Sequence, residues 1–230
     1  KLLGQPKDFS LKHVDLRWTN SCNQACVYCG PGLSSKWAQE LGVKVNSQKD
    51  VRKDVKDFVF ENISNLQNVY LAGGEPMLMK ENFEFLKLLK EKNPDCTIRV
   101  NTNLSTTQTG IFDLLVSFPN VHWTVSVESN LTTIKKLKHK ISFNMLHFIL
   151  NYNSLFDCVD RFRELGFHDN SFIIIPLYTP THLNILNLPT PMVEKVVERI
   201  KNLLEDKPEG YLKNSYENLL LYYTTTKWDR

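Results

Sequence analysis

Segments typical of β-strands alternate with segments typical of α-helices along most of this chain. Strands are predicted near 13–19, 68–73, 97–103, 121–128, 141–149 and 171–177, and helices near 48–65, 80–91, 109–117, 130–139, 154–165, 190–206 and 210–225. Such alternation predicts parallel βαβ units with right-handed crossovers. The predicted fold class is therefore α/β. Six units are too few for a closed eight-stranded barrel, so we expect an open partial (β/α)6 barrel.

Polar and apolar side chains alternate within the predicted strands. In 121–128 the polar positions are His122, Thr124, Ser126 and Glu128, and the apolar positions between them are filled by valine and tryptophan. Because successive strand residues face opposite sides, the apolar set can meet the helices while the polar set lines the barrel interior. The alternative is a set of edge strands with one face in water.

Four polar strand residues are candidates to face a substrate: Arg17, Arg99, Asn101 and His122. The two arginines suit an anionic group such as a carboxylate or a phosphate. They could equally pair with Asp15 or Glu128. No chemical role in catalysis is assigned to any of the four.

Three cysteines, Cys22, Cys26 and Cys29, lie close together with the spacing C-x3-C-x2-C. Since each residue adds at most about 3.6 Å, these gaps let a curled loop aim three thiolates at three corners of one iron-sulfur cluster. A cluster bound by three thiolates keeps one iron open to a small molecule. The triplet therefore predicts these three residues as metal ligands.

Two alternatives for the triplet remain open. Zinc sites usually show paired C-x2-C units or a following histidine, and here the neighbouring histidines are His13 and His122. A disulfide within the triplet would leave its third thiol unpaired, and the chain has five cysteines, an odd number. Cys96 and Cys158 lie in separate predicted elements without a partner motif, so we interpret both as structural.

A second informative segment is Gly73-Gly74-Glu75-Pro76. It follows an apolar run and precedes a helical pattern, which predicts a strand that ends in a glycine turn. Glycines let the backbone approach a ligand closely or adopt positive φ, and proline stiffens the exit from the turn. An ordinary βα turn is the alternative.

Together, the cysteine triplet and the Gly-Gly-Glu-Pro turn resemble the two signatures of radical S-adenosylmethionine (radical SAM) enzymes. The resemblance covers roughly residues 13–180 and implies the radical SAM core, an open six-unit barrel. It also implies two cofactors, a 4Fe-4S cluster and S-adenosylmethionine. In that family SAM is split reductively into methionine and a 5'-deoxyadenosyl radical, which abstracts hydrogen from a substrate.

The resemblance assigns cofactor contacts to eight residues of this chain. Gly73, Gly74 and Glu75 are expected at the SAM amino group, Tyr28 and the backbone near Leu177 at the adenine, Asn103 and Ser126 at the methionine carboxylate or ribose, and Glu128 at the ribose. Other interpretations stay open for three of them. Tyr28 could pack the loop, Asn103 could cap a turn, and Ser126 could bond a neighbouring backbone group.

Within the superfamily, the sequence segments at 15–20, 73–76 and 101–105 look most like those of twitch or SPASM-related members, some of which are encoded by bacteriophages. Many of those enzymes modify peptides and carry auxiliary clusters. This chain departs from that pattern because no cysteine follows Cys158. It is also short between Glu128 and Ile141, where a Tyr-x-Arg-Gly-like stretch is expected.

Composition limits the remaining possibilities. A formal net charge of +3 gives no indication of nucleic-acid binding. No apolar stretch approaches the roughly 18 residues that span a bilayer, so no membrane partner is expected. Cluster ligation needs reduced thiols, which favours the cytoplasm. We expect a core over residues 1–180 and a helical extension packed on it over 181–230.

The sequence thus predicts a radical SAM enzyme that acts on a peptide or protein side chain. A reductant such as flavodoxin or ferredoxin is the expected electron donor. One alternative is a radical SAM enzyme for a small molecule related to nucleotides or deazapurines. A metal-binding module without catalysis, which recruits a partner through its last helix, is the other.

Overall fold

The computed structural model describes residues 10–44, 49–126, 134, 137 and 141–226, except for the side chains of 49–52. The strands are β1 (His13–Leu16), β2 (Asn68–Leu71), β3 (Thr97–Thr102), β4 (Val121–Ser126), β5 (Ile141–His147) and β6 (Phe172–Pro176). The helices are α1 (Ser35–Glu40), α2 (Lys49–Glu61), α3 (Lys80–Lys92), α4 (Gly110–Ser117), α5 (Ser154–Glu164), α6 (Thr190–Glu205) and α7 (Gly210–Thr225). The predicted helix over 130–139 falls almost wholly outside the described residues.

The six strands form one sheet in the order β1-β2-β3-β4-β5-β6. Pairing is parallel between β1 and β2, between β2 and β3, and between β5 and β6. This topology confirms the predicted α/β class, because parallel neighbours in sequence order require crossover connections.

Several predicted boundaries were wrong. β1 ends at Leu16 rather than at residue 19, because the chain then turns into the cysteine segment. The helix expected over 48–65 ends at Glu61, and a short 3-10 turn follows over Ile63–Asn65. α1 was not expected at all.

The chain divides into two compact units. Unit 1 comprises 1–124 with 128–133, and unit 2 comprises 125–127 with 134–230. The expected boundary at residue 180 stays a prediction.

In unit 1, the alternation of side chains along the strands has the consequence expected from the sequence. Ile98, Val100 and Thr102 on β3 are 0, 0 and 2% exposed, whereas Arg99 between them is exposed. One face of these strands therefore contributes to the apolar core, and the other carries the polar set.

Unit 2 has its own aromatic core around Phe143 on β5. The ring of Phe143 lies 4.5 Å from that of Phe162 and 5.5 Å from that of Phe172. Helix α7 covers β6, where the backbone N–H of Ile174 donates to the Ser215 hydroxyl at 3.0 Å. The tail helix therefore packs against β6 within unit 2.

A buried histidine joins β5 to α7 in unit 2. His147 is fully buried and bonds through Nε2 to the Tyr152 carbonyl at 2.9 Å and through Nδ1 to the Tyr223 hydroxyl at 3.0 Å. Burial lowers the pKa of His147 to about 4. The ring is therefore neutral near pH 7, with Nε2 donating to the carbonyl and Nδ1 accepting from the tyrosine.

No helix in the described part of the chain is both long enough and apolar enough to cross a bilayer.

Candidate active site

The three cysteines of the triplet lie in a loop of unit 1 that is anchored through its backbone. The Ser35 hydroxyl accepts from the Cys22 N–H at 3.0 Å and donates to the Cys22 carbonyl at 3.1 Å. The Trp37 indole N–H donates to the Cys26 carbonyl at 2.7 Å, and the Cys29 N–H closes a turn onto the same carbonyl at 2.9 Å. The thiols are thus held on a loop whose backbone is anchored by hydrogen bonds within the chain.

Helix α1 supplies these anchors, and sequence reasoning missed it. Ser34 caps the helix by accepting from the Trp37 N–H at 3.3 Å, and its hydroxyl donates to the Gln24 carbonyl at 2.5 Å. A six-residue helix is too short to show a helical period. The serine before the segment was the one available signal, because serine is a favoured N-cap residue.

The glycine turn packs directly against the backbone that leads into the cysteine loop. Gly73 has φ +116°, and Gly74 and Glu75 donate their N–H groups to the carbonyls of Thr19 and Ser21 at 3.3 and 2.6 Å. A Cβ added to Gly74 would lie 2.2 Å from the Ser21 oxygen. The glycine backbone therefore lies in close contact with the start of the cysteine loop. Its close approach to a ligand stays a prediction.

Glu75 is fully buried, and its carboxylate links the end of β2 to the end of β3. It accepts from the Met77 N–H at 3.1 Å, the Thr102 hydroxyl at 2.6 Å and the Asn103 N–H at 2.8 Å. Burial raises the pKa of the Glu75 carboxyl, and these three hydrogen bonds limit the rise. The side chain is thus occupied by internal contacts.

Replacing Glu75 with glutamine is expected to destabilise the protein by about 1–3 kcal/mol. An amide has only one acceptor oxygen, so its NH2 group must face a backbone N–H of Met77 or Asn103. The free energy of unfolding in urea measures the effect. Glu91→Gln, on an exposed carboxylate, is the matched control and should change it by less than about 0.5 kcal/mol. An equal effect of both variants would contradict the anchoring role of Glu75.

Asn103 connects the end of β3 to the cysteine loop. Its Nδ2 donates to Asn23 Oδ1 at 3.1 Å and lies 4.0 Å from the Cys22 sulfur, while its Oδ1 accepts from the Ser105 N–H at 3.0 Å. The turn-capping alternative for Asn103 is therefore observed. A contact with SAM stays a prediction.

A buried pair that the sequence did not reveal supports the glycine turn from behind. The Trp18 indole donates to Asn82 Oδ1 at 2.9 Å, and Asn82 Nδ2 donates to the Pro76 carbonyl at 3.0 Å. Both side chains are buried, so the turn is tied to α3 and to the segment after β1 through satisfied hydrogen bonds. A single asparagine inside a helical pattern gave no signal of this role.

The four candidate substrate-facing residues all belong to unit 1, but they differ in their surroundings. Arg17 forms two hydrogen bonds with Asp15 at 2.9 and 3.0 Å and lies over the Tyr70 ring, so the internal pairing considered from the sequence is present. Arg99 and His122 are exposed, and Asn101 is half-buried.

The remaining predicted cofactor contacts are spread over the chain. Tyr28 is half-buried in the cysteine loop. Ser126 and Leu177 belong to unit 2, where the Leu177 N–H donates to the His147 carbonyl at 3.0 Å and its carbonyl accepts from Asn184 at 2.7 Å. Glu128 lies outside the described residues. A contact between adenine and the Leu177 backbone would have to add to these hydrogen bonds.

The donor set of the loop suits an iron-sulfur cluster. All five cysteines are free, so the disulfide alternative is not observed, and those of the triplet are half-buried. Burial raises the pKa of the Cys22 thiol, which must lose its proton to bind metal. Within the described ranges, no three side chains of histidine, cysteine, aspartate or glutamate are grouped to hold a single metal ion. A cluster differs in that each thiolate binds a different iron.

Comparisons with known proteins bear on the whole arrangement. The family model of the radical SAM superfamily matches residues 16–188, which is most of the chain. A GTP 3',8-cyclase from Nautilia profundicola is 27% identical over 93 residues, which cover 40% of this chain and 28% of the cyclase. The FeMo cofactor biosynthesis protein NifB from Methanocaldococcus jannaschii is 25% identical over 202 residues, covering 70% of this chain and 67% of NifB.

Among solved structures, Streptococcus suis SuiB bound to its precursor peptide SuiA is similar with a TM-score of 0.54 and 15% identity. The match covers 92% of this chain and 52% of the SuiB chain, so this chain spans about half the length of SuiB. The likeness shows the fold. With the family match, it confirms the predicted open partial barrel of the radical SAM core type.

Proposed function

Since the chain belongs to the radical SAM superfamily, we propose that it is a radical SAM enzyme that abstracts hydrogen from a peptide or protein side chain. One observation carries the proposal of radical SAM chemistry. The two signature segments touch each other within unit 1, where the Glu75 N–H donates to the Ser21 carbonyl at 2.6 Å, next to Cys22. The chain therefore folds to place the start of the cysteine loop against the glycine turn.

Cys22, Cys26 and Cys29 would hold the cluster. When bound, a 4Fe-4S cluster and SAM supply a one-electron cleavage that yields methionine and a 5'-deoxyadenosyl radical. The chain itself contributes binding, orientation and exclusion of competing reactions. The backbone N–H groups of Gly74 and Glu75 are engaged within the chain, and no described residue donates to the carbonyls of Gly73 and Gly74. These carbonyls can accept from an ammonium group, as the predicted contact with the SAM amino group requires.

The peptide substrate is supported by the fold similarity to SuiB, a protein described in complex with a precursor peptide. A small-molecule substrate is the second candidate, because the GTP 3',8-cyclase acts, by its name, on a nucleotide. Each candidate predicts a different ligand on the polar face of unit 1. We also propose that the chain belongs to the twitch or SPASM-related branch, which includes phage-encoded enzymes. The sequence segments at 15–20, 73–76 and 101–105 support this proposal.

A radical SAM enzyme needs a one-electron donor as well as a substrate. We propose a flavodoxin or ferredoxin as that donor. We also propose a cytoplasmic location, because the thiols of the triplet must stay reduced to bind iron.

Anaerobic reconstitution with iron and sulfide tests the proposed chemistry. The protein should turn brown, contain iron and sulfide in equal amounts, and release 5'-deoxyadenosine from SAM when dithionite is added. A colourless protein that takes up zinc and leaves SAM intact would overturn the proposal and favour a binding module.

A further inference from the structure

One buried acceptor on the polar face of unit 1 lacks a donor. The Asn101 Oδ1 atom is buried, and within the described chain no group donates a hydrogen bond to it. Buried polar atoms are nearly always paired, because an unpaired one loses its hydration without compensation. Asn101 therefore carries a cost to folding that its own surroundings do not offset.

Asn101 shares its face of β3 with Arg99, and Asn103 directly follows the end of the strand. The intervening residues, Val100 and Thr102, are buried on the opposite face. The register pairs Arg99 with Tyr70 of β2, and Tyr70 with Asp15 of β1. The acceptor thus lies within a polar surface that extends across three strands.

The two arginines of this surface are not equivalent. Arg17 is bound to Asp15 through two hydrogen bonds, so its charge is already balanced. Arg99 is exposed and forms no ion pair with any residue that the structure describes. Of these two cations, Arg99 is the one available to an anionic ligand.

The same face leads to the cysteine loop. Asn103, two residues beyond Asn101, lies 4.0 Å from the Cys22 sulfur. The Cα atoms of alternate strand residues are about 6.6 Å apart, which applies to Asn101 and Arg99. Asn103 follows Asn101 two residues later, just beyond the end of β3. A ligand at Asn101 would therefore lie close to the loop that the proposed chemistry uses.

We propose that Asn101 and Arg99 form a substrate subsite, which takes an N–H donor on the amide oxygen and an anionic group on the guanidinium. The proposal rests on the proposed function and narrows its substrate to molecules that carry both an N–H donor and an anionic group. Two sources offer this chemistry. A peptide with an acidic side chain supplies an amide N–H and a carboxylate, and a purine nucleotide supplies a base N–H and a phosphate.

Asn101→Leu tests the amide oxygen. Leucine is close in size and needs no donor, so the unfolding free energy of the ligand-free protein should stay equal or rise. Arg99→Met tests the cation, and Thr97→Val, on the same face of β3 but further from the cysteine loop, is the control. A loss of stability in Asn101→Leu would show that Asn101 serves the fold, which overturns the proposal.

Binding supplies the second readout, measured by calorimetry in saturating SAM with two probes. One is an acetylated, amidated hexapeptide containing glutamate, and the other is GTP. One probe should bind, and Asn101→Leu should raise the Kd of that probe about tenfold or more. Arg99→Met should weaken the binding of that probe. It should leave unchanged the binding of the matching uncharged analogue, which is the glutamine peptide for the glutamate peptide and guanosine for GTP. Thr97→Val should leave the Kd unchanged.

Three outcomes of the binding experiment would overturn the subsite. They are the failure of both probes to bind the wild-type protein, an unchanged Kd in both variants, and a loss of SAM affinity in Asn101→Leu, which would assign Asn101 to the cofactor. Cluster content and 5'-deoxyadenosine release are measured separately. If the protein assembles no cluster or releases no 5'-deoxyadenosine, the proposed function is wrong, whatever the two probes show.

Discussion

Serine at Cys22, at Cys26 or at Cys29 is expected to abolish both cluster assembly and 5'-deoxyadenosine release. A neutral hydroxyl is a poor ligand for iron in a sulfide cluster, which prefers soft thiolates. Only three thiolates are available in the loop, so the loss of one leaves two. Removing groups that only orient metal ligands already lowers metal affinity or activity by about 10- to 100-fold. We therefore expect each ligand variant to lose at least about a hundredfold in activity, with iron content falling in parallel.

Cys158→Ser is the matched control, because Cys158 lies on α5 in unit 2, away from the loop sequence. It should keep its iron, its sulfide and its SAM cleavage. The hypothesis of three equivalent ligands fails if any variant of the triplet assembles a cluster with full activity. It also fails if the Cys158 variant loses iron to the same extent.

The elements that the sequence predicted well are those with a strong period or a strong local signal. Strand alternation placed β3 within one residue and the start of β4 at Val121, because a buried face and a polar face leave a pattern of period two. The end of α5 was also predicted within one residue, since the helix expected over 154–165 ends at Glu164, and Gly166 beyond it has φ +89°. The cysteine loop and the glycine turn could also be located from the sequence, because each is a short contiguous segment with its own signature.

What the sequence did not reveal depends on contacts between distant residues. The hydrogen bond from Thr102 to Glu75 spans 27 positions, and that from Trp18 to Asn82 spans 64. Neither has a local pattern, because the partners are brought together only by the pairing of strands and the packing of helices. The unpaired oxygen of Asn101 is a property of three-dimensional surroundings in the same way.

Alanine at Gly74 is expected to displace the cysteine loop and to destabilise the protein by about 3 kcal/mol or more. The added methyl group would lie 2.2 Å from the Ser21 oxygen and 2.7 Å from the Asn20 carbonyl carbon, both backbone atoms. Backbone cannot move aside as a flexible side chain can, so the cost should reach or exceed the upper end of the usual 1–3 kcal/mol for overpacking. The hydrogen bond between Glu75 N–H and the Ser21 carbonyl would have to lengthen. Urea unfolding and iron content after reconstitution measure the two effects.

Gly30→Ala provides the control for this substitution, because it adds the same methyl group next to Cys29 without a steric clash. No heavy atom lies within 4 Å of a Cβ built at Gly30. Its unfolding free energy should change by less than about 0.5 kcal/mol, with iron content as in the wild type. If Gly74→Ala were as stable as Gly30→Ala but bound SAM poorly, the glycine would serve the ligand rather than the loop. If only stability fell while cluster and SAM binding survived, the contact between the two signature segments would be a feature of the fold alone.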